Sequence, residues 1–260
     1  MRVGLSTATF FGKALTEDSF DLIRRSGADV AEVFFTTYSE YEPEFCDLLL
    51  ARKGDLKIHS VHSLTSQFEP QLFNPAARTR ADAEKLFRKV LTSMQRLGAR
   101  CYTYHGSTVF KATQKMPNIE RLGTRLHELS GIVKEYGGEL CMENVHWADY
   151  RVPGIFRAVK RYAPDLKACL DIKQAMQSGY DYREYLAEMG SDLNTVHICD
   201  YDGDKLYPTG FGSFDFVELK KRLEDVGYDG NILIELYSKD YDDFDVVKEA
   251  VYKMKNIFEK

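Results

Sequence analysis

Four residues able to bind a divalent cation lie at or near the ends of strand-like segments in the second half of the chain. They are Glu143, Asp171, His197 and Glu235, and consecutive members lie 28, 26 and 38 residues apart. Such steps leave room for one helix between two parallel strands. If the segments are neighbouring strands of a parallel barrel, the side chains converge at one rim. The spacing therefore predicts a cation site built from three carboxylates and one imidazole.

The elements that would position these residues alternate along the whole chain. Strand-like segments cover residues 2–9, 29–35, 57–63, 100–105, 139–145, 166–171, 194–200 and 231–237. Between them apolar residues recur every three or four positions, as in residues 80–97, which indicates amphipathic helices. Eight strands alternating with helices over 260 residues predict an α/β fold, a single (β/α)₈ barrel domain spanning residues 1–260.

Local signals agree with this alternation. Gly27, Gly98, Gly137 and Gly227 stand where predicted helices should end, because glycine readily adopts the conformation found at helix C-termini. The helical pattern is least clear in residues 38–52. No glycine-rich loop follows the first strand, which argues against a dinucleotide-binding fold.

Composition limits the function classes. The net charge is −5, so the overall charge does not indicate a nucleic-acid partner. No apolar run approaches the roughly 18 residues that cross a bilayer, and the N-terminal segment lacks a secretion signal. We therefore expect a cytoplasmic protein without a membrane partner, and the sequence leaves homo-oligomerisation open.

The cysteines indicate core packing. None of the five belongs to a Cys-x-x-Cys pair, which argues against a zinc ribbon or a disulfide framework. Cys101, Cys141, Cys169 and Cys199 fall within strand-like segments, and we interpret them as small core residues.

A shared cation explains the four strand-end residues better than four separate roles. A carboxylate is costly to bury in a barrel interior without a partner. Mixed carboxylate and imidazole ligation favours one Mn²⁺ or Zn²⁺ ion, with Co²⁺, Fe²⁺ or Mg²⁺ as other candidates, and Mg²⁺ disfavoured by the nitrogen ligand. The alternative is that each acid separately caps a helix or pairs with a surface lysine.

Short motifs close successive predicted strands in a fixed order. They are Val61-His62-Ser63, Tyr104-His105-Gly106, Glu143-Asn144, Asp171, His197-Ile198-Cys199-Asp200, Gly210-Phe211-Gly212 and Ile234-Glu235. Together they resemble the xylose isomerase-like TIM barrel superfamily, which holds sugar isomerases, ketose 3-epimerases, inosose-processing enzymes and a DNA-repair AP endonuclease. The resemblance covers essentially the whole chain.

Two departures separate the branches of that superfamily. The nuclease branch carries a histidine three residues after the sixth-strand aspartate, and this chain has Gln174 there. That branch also has an Asp-x-His in the loop after the seventh strand, whereas no histidine follows His197 in this sequence. The resemblance therefore implies one metal ion rather than three, and it points away from DNA.

The one-metal branch resembles ketose epimerases and aldose–ketose isomerases, and this resemblance implies a mechanism. The cation would chelate a substrate carbonyl and a neighbouring hydroxyl and stabilise an enediolate. Glu143 and Glu235 match the two glutamates that flank the substrate, so one would remove a proton and the other return it. Asp171 and His197 would be ligands only.

Other residues are predicted to surround this centre. His62 and His105 match positions that touch substrate in the sugar branch, although histidines hydrogen-bonded within the barrel are the alternative. Lys173 could reach the same mouth or form a surface salt bridge, and Trp147 could stack on a sugar or cover the helices. Glu32 is predicted to contact substrate or to steady a ligand.

The reaction and the substrate stay open at this level. A metal-dependent sugar or polyol isomerase or epimerase is the favoured interpretation. A dehydratase of a keto-polyol is the next, because the same enediolate can expel hydroxide. An AP-endonuclease-like phosphodiesterase and a non-catalytic metal-bound barrel are the remaining alternatives. No cationic clamp for a phosphate is evident in the sequence.

Overall fold

The computed structural model describes residues 1–108 and 116–260, and a closed ring of eight parallel strands forms its centre. The strands are β1 (Arg2–Ser6), β2 (Val30–Phe35), β3 (Lys57–Ser63), β4 (Cys101–Tyr104), β5 (Glu139–Glu143), β6 (Lys167–Asp171), β7 (Leu193–Ile198) and β10 (Asn231–Ile234). Each strand pairs with its sequence neighbour, and β10 pairs with both β7 and β1, which closes the ring. The predicted (β/α)₈ barrel is confirmed.

Helices cover the outside of this ring. They are α1 (Thr16–Ser26), α2 (Pro43–Lys53), α3 (Ala77–Leu97), α4 (Ile119–Glu135), α5 (Ile155–Val159), α6 (Ile172–Gln177), α7 (Tyr182–Met189), α8 (Phe216–Asp225) and α9 (Phe244–Phe258). The unclear stretch at 38–52 contains a 3₁₀ turn, Tyr38–Tyr41, followed by α2. Pro43 is the first residue of α2, where a missing N–H costs no helical hydrogen bond.

Glycine ends the helices where the sequence predicts it. Gly27 and Gly98 have φ angles of 88° and 77°, in the left-handed region. Their N–H groups donate to the carbonyls of Arg24 and Gln95 at 2.9 and 3.1 Å. Both helix ends therefore depend on a conformation that other residues rarely adopt.

Alternation along the strands separates two buried regions. In β4, Tyr102 belongs to the apolar layer between strands and helices, where its ring lies edge-on to Phe87 with centroids 4.9 Å apart. Cys101 instead joins Cys141 and Cys169 in a separate buried cluster. The cysteines are free and buried, as the sequence predicts.

A short hairpin follows the seventh barrel strand. It consists of β8 (Asp200–Asp202) and β9 (Lys205–Tyr207), which pair in antiparallel fashion. The buried carboxylate of Asp200 accepts hydrogen bonds from the N–H groups of Tyr201, Gly210, Gly212 and Phe214, at 2.8 to 3.0 Å. The Asp200 side chain thus fixes the loop between two of the sequence motifs, His197-Ile198-Cys199-Asp200 and Gly210-Phe211-Gly212.

No helix within residues 1–108 and 116–260 combines the length and apolar character that a bilayer-spanning helix needs.

Replacing Gly212 by alanine tests the packing of this loop. An added Cβ would lie 2.5 Å from Asp200 Oδ1, so we expect a loss of about 1–3 kcal/mol in unfolding free energy from overpacking. The matched control is Gly131→Ala in α4, where no described atom outside the helix's own backbone lies within 4 Å of the new Cβ. That variant should gain about 0.5–1 kcal/mol. Thermal and denaturant unfolding measure both, and equal effects would contradict the packing argument.

Candidate metal centre

The four predicted cation-binding residues lie together at the C-terminal rim of the barrel. Glu143 and Asp171 are the last residues of β5 and β6, His197 is in β7, and Glu235 directly follows β10. One ligand atom from each lies within 4.8 Å of the others. The pairing of Asp171 with His197, and of His197 with Leu233, sets neighbouring strands in register at this height. Three carboxylates and one imidazole thus lie close enough for one ion to contact all four.

Several atoms of this cluster are buried without hydrogen-bond partners. In the described part of the chain these are Glu143 Oε2, Asp171 Oδ2 and His197 Nδ1. His197 Nδ1 lies 3.8 Å from Glu235 Oε2 and 3.9 Å from Glu143 Oε1. Buried polar atoms normally find partners, and these are the atom types that bind Mn²⁺ or Zn²⁺. The residues therefore fit a divalent cation.

Glu32 supports His197 from below. Its Oε2 lies 3.1 Å from His197 Nε2 and also accepts hydrogen bonds from Ser60 and Thr103, at 2.7 and 3.1 Å. Burial raises the pKa of Glu32, but His197 and His62 outweigh that effect and hold the pKa below its usual range. A carboxylate at Nε2 favours a proton on that nitrogen and leaves the Nδ1 lone pair for a cation. Of its two predicted roles, the geometry favours steadying a ligand.

Asn144 fixes the position of Asp171. Its side chain donates to the Asp171 carbonyl and accepts from the Asp171 N–H, both at 2.8 Å. Asp171 Oδ1 in turn accepts from the N–H of Gln174 at 2.8 Å and begins α6. Only Oδ2 is left to face the cluster. The sequence marked Asn144 within a motif but gave it no role.

The carboxylates at this rim do not titrate like exposed ones. Burial raises the pKa of Asp171 to about 7, with Glu143 and Glu235 adding to that effect and Lys173 opposing it. Burial also raises the pKa of Glu143, but His105 and His197 outweigh it and hold the pKa well below the usual range. The acids are therefore stabilised as anions only where a positive charge lies beside them.

Lys173 is buried in the site. Its Nζ lies 2.9 Å from Glu235 Oε2 and 3.6 Å from Asp171 Oδ2, and 4.3 Å from the centre of the Tyr237 ring. Only 1% of the Lys173 side chain is exposed. The alternative of a surface salt bridge is therefore wrong.

Above the cluster lies a cavity of about 370 Å³. Six residues of the predicted site line it: Glu143, Glu235, His62, His105, Lys173 and Trp147. Its apolar walls include Phe11, Phe34, Leu64, Leu236 and Tyr237. Glu32, Asp171 and His197 lie outside this lining. The cavity thus has a polar floor over the cation site and largely aromatic walls.

Two histidines on the floor differ in their surroundings. His62 has no hydrogen bond at either ring nitrogen within the described residues, and burial lowers its pKa. His105 Nε2 lies 3.2 Å from Glu143 Oε2. Burial lowers the pKa of His105 as well, but Glu143 and Glu69 outweigh it and raise the pKa to about 9. Trp147 packs beside His105 with ring centroids 5.9 Å apart.

Two residues of the cavity wall, Phe34 and Tyr237, are not among the site residues predicted from the sequence. Phe34 and Tyr237 lie two positions after Glu32 and Glu235, and alternation along a strand places such residues on the same face. That signal was available for both. Gln174, the residue found in place of a nuclease-branch histidine, has its Oε1 2.6 Å from His146 Nδ1.

Comparisons with known proteins agree with this architecture. A family model described as "Xylose isomerase-like TIM barrel" matches residues 20–257. A structure of a D-tagatose 3-epimerase-like protein has a TM-score of 0.81 at 21% identity, covering 100% of this chain and 97% of its own. A D-psicose 3-epimerase solved in the presence of D-fructose has a TM-score of 0.80 at 14% identity, covering 100% of both chains.

A third structure carries a metal. It is an IOLI protein with a bound zinc atom, with a TM-score of 0.77 at 14% identity, covering 100% of this chain and 98% of its own. At these identities the structural likeness shows a shared fold. The match to the family model confirms the resemblance inferred from the motifs.

Replacing Asn144 by alanine tests how the site is held. The buried N–H and C=O of Asp171 would lose their partners, so we expect about 1–3 kcal/mol less stability. A misplaced Asp171 should also weaken Zn²⁺ or Mn²⁺ binding by about 10–100-fold, measured by chelator competition. Asn256→Ala is the control, because that amide, among the residues that the structure describes, donates to Tyr252 O in an exposed part of α9. Unchanged metal affinity in Asn144→Ala would contradict the role given to Asn144.

Proposed function

We propose that this chain, which belongs to the xylose isomerase-like TIM barrel family, is a divalent-metal-dependent isomerase or epimerase of a small sugar or polyol. The observation that carries the proposal is the pair Glu143 and Glu235. Both belong to the four-residue cluster, and both also line the cavity. The epimerase names of two similar structures and the zinc atom in a third support the same interpretation.

Glu143, Asp171, His197 and Glu235 would hold the cation, with Mn²⁺ or Zn²⁺ as the preferred ions. When bound, it would neutralise negative charge that develops on the substrate oxygens as a carbon-bound proton leaves. Asp171 and His197 lie outside the cavity lining, so their role would be to bind the ion. A cavity of about 370 Å³ lies at the small end of ligand sites, which suits a monosaccharide.

The two glutamates would move the proton. One removes it from a carbon next to the carbonyl, and the other returns it, to the opposite face in an epimerase or to the neighbouring carbon in an isomerase. The two glutamates have different basic side chains beside them. His105 lies beside Glu143, and Lys173 lies beside Glu235.

The remaining residues would bind and orient the substrate. His62, His105 and Lys173 present nitrogen atoms at the cavity floor, where substrate oxygens need hydrogen-bond partners. Trp147, Phe34 and Tyr237 offer flat apolar surfaces to the C–H face of a sugar. The walls also displace water from the reacting atoms, which strengthens the electrostatic effect of the charged groups.

Metal content is the first test. We expect one divalent ion per chain after purification, located by anomalous scattering among the four predicted ligands. Asp171→Asn should lose most of that ion, because it removes a charged ligand without blocking the cavity. Three bound ions, or none after reconstitution with Zn²⁺ and Mn²⁺, would contradict the proposed centre.

Isotope exchange tests the chemistry. Incubation with ketohexoses, ketopentoses and keto-polyols in deuterated water should place one deuterium in the product of the accepted substrate. Glu143→Gln and Glu235→Gln should each slow this exchange by about 10²-fold or more.

Two controls make this test specific. Glu139 lies on the same strand as Glu143 but at its opposite end, beside Asn194. The variant Glu139→Gln should therefore leave the exchange unchanged. Mass spectrometry separates an epimer from a product that has lost water, the result expected of a dehydratase. Binding without any deuterium incorporation would favour a non-catalytic barrel, and cleavage of an abasic oligonucleotide would favour a nuclease.

A further inference from the structure

A buried carboxylate lies behind the barrel wall, next to the site but outside the predicted set. Glu69 begins the 3₁₀ turn Glu69–Phe73, between β3 and α3, and has 0% of its surface exposed. Its neighbours Phe68 and Leu72 belong to the apolar layer under the helices. Burial raises the pKa of Glu69 to about 7. An acidic group in such a layer costs stability, so its presence calls for a functional explanation.

The two oxygens of Glu69 differ in their contacts. Oε1 accepts a hydrogen bond from Tyr102 Oη at 2.8 Å and lies 3.4 Å from Ser63 Oγ. Oε2 meets no side-chain donor within hydrogen-bond distance in the described part of the chain and lies 3.8 Å from His105 Nδ1. The backbone N–H of His105 also acts on this carboxylate. One oxygen therefore anchors the carboxylate, and the other faces the imidazole.

His105 connects this carboxylate with the cavity. Its Nδ1 faces the Thr65 hydroxyl and Glu69, while its Nε2 lies 3.2 Å from Glu143 Oε2. A hydroxyl can donate or accept, so Thr65 alone does not decide whether Nδ1 carries a hydrogen. Above its raised pKa of about 7, Glu69 is an ionised carboxylate, which only accepts hydrogen bonds. Glu69 therefore favours a hydrogen on His105 Nδ1, a preference that Thr65 alone does not impose.

We propose that Glu69 is a positioning residue that holds His105 with a hydrogen on Nδ1 and with Nε2 turned toward Glu143 and the cavity. This resembles the way carboxylates orient imidazoles in other sites. Its kinetic consequence rests on the proposed function, since it requires His105 to contact the reacting substrate. The orientation itself can be measured without any turnover.

A purely structural role for Glu69 makes a different prediction. Tyr102 Oη also lies 2.7 Å from Ser63 Oγ, so it keeps a partner when the carboxylate is removed. Removing one member of a buried polar cluster while its partners remain is usually destabilising. Glu69→Leu should therefore lose some stability whichever role Glu69 has. A purely structural role predicts that loss with unchanged His105 signals, whereas a positioning role predicts altered His105 signals in Glu69→Gln as well, which keeps the shape of the side chain and one acceptor oxygen.

Nuclear magnetic resonance of ¹⁵N-histidine protein prepared with Zn²⁺ reads the orientation directly. His105→Gln identifies the His105 signals among those of the six histidines. In the wild type we expect a slowly exchanging Nδ1–H for His105. Glu69→Leu should lose that signal, and Glu69→Gln, which keeps one acceptor oxygen, should retain part of it. The signals of His127, which is exposed on α4, should not move.

Kinetics with the accepted substrate form the second arm. Glu69→Leu should lower kcat for deuterium exchange by about 10–100-fold with little change in KM. The double variant Glu69→Leu/His105→Gln should be no slower than His105→Gln alone, because Glu69 acts through His105. The matched control is Glu188→Gln, whose carboxylate likewise accepts from a tyrosine hydroxyl, Tyr150, at 2.6 Å. It should leave the exchange rate unchanged.

The two arms separate the possible failures. A retained Nδ1–H signal in Glu69→Leu, or its absence in the wild type, overturns the role of Glu69 whether or not a substrate is found. If no substrate exchanges a proton, the proposed function fails, and the resonance result alone then supports or overturns the orientation. Additive kinetic losses in the double variant would also overturn it. If Glu69→Leu does not fold, Glu69→Gln carries both arms.

Discussion

The mutual repulsion of three buried carboxylates is the constraint on which the rest of this structure depends. Glu143, Asp171 and Glu235 are brought within 4.8 Å of one another by the ends of three strands. Like charges at that separation, away from water, are unfavourable unless positive charge lies beside them. Lys173 supplies part of it, and unpartnered atoms turned toward the centre, His197 Nδ1 among them, leave a place for a cation. The fold thus concentrates like charges at the cost of stability.

Polar groups behind the three carboxylates and His197 stabilise this crowded arrangement. Glu32 lies beneath His197, and Asn144 ties the ends of two strands together. The parallel pairing between β2 and β3 shifts register just before Glu32, and that between β6 and β7 shifts just before Cys169. Such irregularities often redirect side chains near functional sites. The barrel is least regular where its polar groups must meet.

Two strand-end acids could be predicted because β5 and β6 are short, largely apolar runs, in which a terminal acid stands out. Glu143 after Leu-Cys-Met and Asp171 after Ala-Cys-Leu are visible in this way. Glu69 could not be predicted in this way, because its segment has the composition of an exposed turn and is buried only when α3 packs over it. Asn144 is visible, but its function depends on the backbone of Asp171 in another strand. Composition and periodicity report on local burial, and they do not report on partners across the fold.

Under the proposed function, the two glutamates carry opposed demands. A carboxylate that binds a cation is a weaker base, yet one of the pair must take a proton from carbon. Each has a different cationic neighbour, His105 beside Glu143 and Lys173 beside Glu235. The imidazolium of His105, whose pKa is raised to about 9, can give up its proton in mildly basic solution. Burial lowers the pKa of Lys173, but Asp171 and Glu235 outweigh it and hold it well above its usual range, so that ammonium keeps its proton. The asymmetry makes the pair inequivalent, which acid–base catalysis by two carboxylates requires.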